Sequence, residues 1–234
     1  MDPTGVSAAQ YLDPGVDRDL PIVEVPVLDA RDPQVSGSVI ITTDPADFDV
    51  PVTPWPVTGR RPLDPGTGDG GGTVEGTFSC TWEGDRLLAT NDAVGGRYVI
   101  GFAPTGHDGR SGTPGRVILW HLNHHPDGGQ LFWSPDGRAF VVPAAPAGED
   151  PDPARVVALH SDGTFGICLR PGVWHDGVYP IAGDGRFLTR QGRVHARVSA
   201  DLGAEAGVLL GVPLAAPPPS GRTGTSPGTY PSVG

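Results

Sequence analysis

The chain has no lysine. Its 16 basic side chains are all arginine, set against 27 aspartates and glutamates for a formal net charge of −11. That balance excludes the basic face on which a nucleic-acid binder depends, and without lysine there is no Schiff-base chemistry. The codon bias of a GC-rich genome accounts for the missing lysine. Two cysteines cannot supply a disulfide framework, and Cys80 and Cys168, inside apolar runs, read as small buried hydrophobes. No run of about 18 apolar residues is present to span a bilayer. The opening MDPTGVSAAQ lacks the basic start and apolar stretch of a signal peptide. A soluble cytoplasmic protein is expected, with neither nucleic acid nor membrane as partner. No window shows sustained helical periodicity.

Glycine (36) and proline (27) are abundant instead. Many glycines follow aspartate, as in Asp127-Gly128, Asp136-Gly137, Asp162-Gly163 and Asp184-Gly185, and Asp-Gly supplies the positive φ angles of tight hairpin turns. Between these turns lie β-branched and aromatic runs such as PIVEVPVLDA, GSVIITT, TFSCTWEG, RYVIGF, RVILWHLNHH, RAFVVPAA and TFGICLRPGVWH. About ten short strands in one domain imply an all-β fold, a β-barrel or jelly roll. Residues 1–20 read as a flexible N-terminal arm, 21–214 as a single domain and 215–234 as a disordered tail. Within the domain, 51–73 is a Pro/Gly-rich loop, a lid or a partner-binding arm, with Trp55 as its anchor into the core.

Chemistry concentrates in two segments, NHHPDGGQLF (Asn123 to Phe132) and RPGVWH (Arg170 to His175). Strand side chains alternate between faces. A strand over 115–125 therefore puts His121, Asn123 and His125 on one face and His124 on the other. Asn123, His125, Gln130 and His175 can converge on a metal, or move protons on a small oxygen-rich substrate. Arg97 and Arg170 are the arginines nearest the motif segments and could pair with a substrate carboxylate, and Trp174 could wall the pocket. His107, His160 and His195 receive no role.

The spacing Asn123-x-His125-x4-Gln130 resembles the first cupin motif, in which His-x-His is followed after four residues by Glu. His175 takes the place of the third histidine. That resemblance implies a cupin-type barrel, and a site for a divalent metal ion held by His125, Gln130 and His175 if one is bound. More narrowly, His124-His125-Pro126 with Gly129-Gln130-Leu131-Phe132 is similar to the R-H-P-x-x-T-Q-x-F motif of the ureidoglycolate lyase family. Gly172 to Gly177 resembles that family's G-V-W-H-H-P. The likeness extends over roughly Pro21 to Pro213 and departs at His124, Gly129 and Asp176.

The resemblance implies a lyase of purine catabolism that cleaves the carbon–nitrogen bond of ureidoglycolate, giving glyoxylate and urea. His125 and His175 are the expected acid and base, with Asn123, Arg97, Trp174 and Arg170 binding substrate. It also suggests a homodimer. Two alternatives remain open: a repurposed lyase, isomerase or cyclase of specialised metabolism, and a non-catalytic barrel that binds a small ligand.

Overall fold

The computed structural model describes residues 14–107 and 112–218. Residues 1–13 of the expected arm and 219–234 of the expected tail lie outside it. In chain order the strands are β1 (Ile22–Glu24), β2 (Val27–Asp29), β3 (Val39–Thr42), β4 (Val74–Glu83), β5 (Arg86–Asn91) and β6 (Arg97–Phe102). They continue with β7 (Arg116–Leu119), β8 (His121–His124), β9 (Gln130–Trp133), β10 (Phe140–Ala145), β11 (Val157–Ser161) and β12 (Gly166–Leu169). The last are β13 (Trp174–His175), β14 (Tyr179–Pro180), β15 (Gly185–Gln191), β16 (Val198–Asp201) and β17 (Leu209–Pro213). Among the described residues one short α-helix, α1 (Leu202–Ala206), is capped by the Asp201 side chain and ends at Gly207 in the left-handed conformation.

These strands form two sheets. The first has ten strands in the order β1-β17-β7-β6-β5-β4-β15-β9-β12-β3. The second runs β16-β8-β13-β10-β11-β2, with β14 also paired to β10. The fold is thus nearly all-β and consistent with a cupin-type fold, but the expected barrel is not closed. Closure requires hydrogen bonding from last strand to first, and among the described residues the two sheets keep separate edges. Those edges are blunted: β1 and β2 are three-residue strands, each joined in parallel to its neighbour.

The expected single strand over 115–125 is instead two. It breaks at Trp120, so β7 lies in the ten-stranded sheet and β8 in the seven-stranded one. Trp120 is the hand-over residue, and its ring packs 5.3 Å from Phe102. Phe78, Phe132, Phe140 and Phe187 fill the space between the layers, with Phe140 and Phe187 edge to face at 5.3 Å. Each such ring contributes about 1.5–3 kcal/mol by leaving water, which fixes the facing distance for the polar groups beside them.

Segment 51–73 has no regular strand, as its prolines and glycines dictate, yet it is tied down at both ends. Val52 bridges to Gly128, and Thr53 N–H donates to Asp127 O. Farther on, the amides of Asp64, Gly68 and Gly70 donate to the carbonyls of Arg197, His195 and Val194. Trp55 is only half-buried and lies outside the core clusters, so polar contacts anchor this segment in place of the expected tryptophan. No helix among the described residues is long and apolar enough to cross a membrane.

Candidate active site

His175 on β13 pairs with Asn123 on β8, which on its other side pairs with Ser199 on β16. Directly opposed residues in antiparallel strands share a face. Gln130 and Thr189, from β9 and β15 of the other sheet, reach the same place, so this is the inner face. His125, one residue beyond β8, joins them there. The carboxamide oxygen of Gln130 lies 2.9 Å from His125 Nε2 and 2.7 Å from His175 Nε2, and its nitrogen lies 3.1 Å from Thr189 Oγ1. Both imidazoles are almost fully buried, 4% and 2% exposed.

The tautomers follow from the other ring nitrogens. His125 Nδ1 sits 2.7 Å from Ala196 O, and His175 Nδ1 2.7 Å from Val173 O. A carbonyl only accepts, so each Nδ1 carries the proton and each Nε2 presents a lone pair. Burial, and for His175 also the neighbouring His125, holds both rings below the ordinary histidine range, hence neutral. Three acceptors, two imidazole nitrogens and one carbonyl oxygen, thus meet with no donor between them. Two arrangements satisfy them. A half-turn of the Gln130 amide aims its NH2 at both lone pairs and its oxygen at the Thr189 hydroxyl. Alternatively, a divalent cation accepts all three lone pairs.

The donor set fits an imidazole-preferring cation, and the Nδ1–H bonds to carbonyls are the outer support that such ligands use. No carboxylate completes it: among the described residues no group of three or more His, Cys, Asp or Glu side chains is placed to hold a metal. The field is therefore weak.

Asp176 follows His175 and is buried. Burial pushes its carboxyl up to about 7, although the Gly177 amide donates to it. His195, with a positive φ of 55° unusual for a side-chain-bearing residue, stacks on His125 at 6.3 Å between centroids and abuts the Gln191 amide. Burial holds it near a pKa of about 4. Asp127 Oδ2 accepts from the amides of Arg193 and Val194 at 2.5 and 2.7 Å, holding the turn that leads to Ala196. At the edge of the site Arg197 and Ser199 both donate to Asp64 of segment 51–73, each at 2.5 Å.

The structure thus gathers Asn123, His125, Gln130 and His175. It separates the other sequence-derived candidates from them. Arg97 is paired with Glu83 on the exposed surface of β6 and β4. Arg170 is exposed in the turn after β12. Trp174 faces away from the histidine pair: its ring meets His124 at 4.4 Å, its indole N–H donates to Gly148 O, and Arg61 lies over it at 5.5 Å. Thr189, Arg197 and Ser199 join the site without having been singled out, and Asp176 is buried next to His175 in the chain. Asp176 alone carried a signal, as a departure from the family motif.

Two clefts, of about 520 and 270 Å³, open elsewhere. The larger is lined by Thr77, Trp133, Arg186 and Leu188 on the outer side of the ten-stranded sheet. The histidine pair is a filled site, and the chemistry decides its assignment over the size of an opening.

Residues 112–202, which hold the histidine pair, Gln130, Thr189 and Arg197, match the family model for ureidoglycolate lyase. Curated relatives agree. A ureidoglycolate lyase of Stutzerimonas stutzeri is 38% identical over 73 residues, 31% of this chain and 43% of that protein. One of Azotobacter vinelandii is 36% identical over 76 residues, 32% of this chain and 46% of that protein. One of Pseudomonas aeruginosa is 39% identical over 68 residues, 29% and 40% respectively. The matched stretch spans less than half the length of these relatives. Within that stretch, which holds the buried histidine pair, the chain is similar to the ureidoglycolate lyase family.

Proposed function

We propose that this protein is a lyase that eliminates a nitrogen leaving group from a small carboxylated carbinol, with ureidoglycolate as the first substrate to test. The observation that carries this reading is the pair of neutral imidazoles presenting their Nε2 lone pairs to one point on the inner face. Breaking the carbon–nitrogen bond of such a substrate moves one proton from oxygen to nitrogen. The carbinol hydroxyl loses its proton to an Nε2, the C–O pair collapses to a carbonyl, and the C–N pair leaves on nitrogen. The imidazolium so formed returns its proton to that nitrogen, releasing urea and glyoxylate, and the histidine is neutral again. A ring held neutral by burial begins as the base this needs. Gln130 and Thr189 orient the rings, and Asn123 offers an amide to the substrate. A divalent cation held by His125, His175 and Gln130, when bound, would polarise the carbinol oxygen as a Lewis acid.

Glyoxylate release from ureidoglycolate by the purified protein tests this, with His175→Ala as the control. Release that vanishes in the variant supports the reading, and no release from folded protein sinks it. One observation favours a repurposed member of the family acting on a related substrate. Asp176, where the family motif has a second histidine, is a buried carboxyl raised to about 7 and so able to hold a proton near neutrality. A panel of α-hydroxy and ureido acids decides between the two.

A further inference from the structure

The histidine pair is buried, so a substrate enters only if something moves. Segment 51–73 is the element so placed. It lies across the two loops that carry the site: 51–53 is bonded to 127–129, just before Gln130, and 64–70 is bonded to 194–197, which includes the carbonyl that orients His125. Its one deeply placed acid is Asp64, whose side chain is 15% exposed. Oδ2 of Asp64 accepts from Arg197 Nε and from Ser199 Oγ at 2.5 Å each. Ser199 is the register partner of Asn123, itself the partner of His175. A carboxylate therefore already rests on an arginine and a hydroxyl with only strand β8 between them and His175.

We propose that Arg197 and Ser199 form the carboxylate-binding site for the substrate, and that Asp64 occupies it as an internal competitor carried on a cover, residues 51–73. This rests on the lyase reading for the identity of the substrate, although the carboxylate site itself is defined by the Asp64 contacts. Arginine pairs with planar carboxylates through charge-assisted hydrogen bonds, so a substrate carboxylate can make the contacts that Asp64 makes. One departure from the family motif lies where β12 and the cover both press on the chain. A side chain at Gly129 would meet Leu169 O at 2.5 Å and the Pro51 ring at 3.0 Å, and Gly129 N–H donates to Pro51 O at 2.7 Å. The Leu169 carbonyl of β12 by itself leaves a threonine no room, and the docked cover narrows the space further.

An internal competitor lowers apparent affinity by the fraction of molecules in the open state. Isothermal titration with glyoxylate, which keeps the substrate's carboxylate, reads this without turnover, and glycolamide serves as the uncharged control. Asp64→Asn keeps the backbone bonds of the cover and is expected to bind glyoxylate about tenfold more tightly than the wild-type protein. Adding Arg197→Gln to Asp64→Asn should abolish the gain, and adding Ser199→Ala should reduce it severalfold. In the wild-type protein, saturating glyoxylate should speed amide exchange at Asp64, Gly68 and Gly70. Unchanged or weaker binding by Asp64→Asn, equal gain for glycolamide, or unaltered exchange at those amides would overturn the proposal. Tighter glyoxylate binding by Asp64→Asn without turnover of ureidoglycolate would leave this site standing and sink the lyase reading. Turnover with affinity indifferent to Asp64 would do the reverse.

Discussion

The two sides of the ten-stranded sheet differ in what they offer. On the outer side, between Trp133 and Arg186, a cleft of about 520 Å³ lies open. On the inner side Gln130 and Thr189, from those same two strands β9 and β15, meet two buried, neutral imidazoles. The alternation of side chains along β9 and β15 produces both surfaces from the same eleven residues. Space and chemistry are separate in this molecule, and the chemistry is kept closed by a loop that its own Asp64 fastens to Arg197 and Ser199.

The strongest test of that contrast is removal of a base. His175→Ala or His125→Ala should lower turnover of ureidoglycolate by about 10²-fold or more, the usual contribution of a positioned proton acceptor, measured as kcat/KM. Next in size is Asp127→Ala. It strips two backbone amides of a buried acceptor, costs about 1–3 kcal/mol, and should lower the melting temperature by roughly 5 °C.

Metal preference sharpens the inner side further. Gln130→Glu adds the charge the donor set lacks and should tighten zinc or nickel binding at least tenfold over wild type, read by calorimetry on chelator-treated protein.

Acidity bears on the inner side too. His121 and His195 are held down to about 4 by burial, so the folded chain refuses protons that the unfolded chain accepts. Their stabilisation is full above pH 6.5 and is lost as pH falls towards 4. Asp176, raised to about 7 by burial, works oppositely: its contribution is present near pH 4 and lost as pH rises towards 7. With more histidines lowered than acids raised, the melting temperature should hold near pH 7 to 8 and fall on acidification. Asp176→Asn should steepen that fall. Smallest of all, Arg186→Ala in the outer cleft should change stability by less than about 0.5 kcal/mol and leave kcat/KM unaltered. A clear loss there would move the function to the outer side.

How far the sequence disclosed this depended on the range of each interaction. The histidine pair and Gln130 were legible because motif spacing within two short segments sets which side chains face together. That His124 turns towards Trp174 while His125 turns inward also agrees with simple alternation. The break at Trp120 was invisible, since an apolar run reads the same whether one sheet or two receives it. Strand β17 was missed because Gly211 and Pro213 weaken its strand pattern. Arg97 looked close to the site only by sequence, and its ion pair with Glu83 across β4 and β6 holds it elsewhere. Asp64, Arg197 and Ser199 were beyond reach: 133 residues separate Asp64 from Arg197, and no periodicity in a Pro/Gly-rich loop foretells where it docks.

The hand-over at Trp120 bears on how this chain can change over evolutionary time. A single residue carries the chain from one sheet to the other, and His125 follows four β8 residues later. Insertion or deletion of one residue between Leu119 and His125 would invert the alternation, turning Asn123 outward and bringing His124 in. This stretch therefore does not tolerate a change in length.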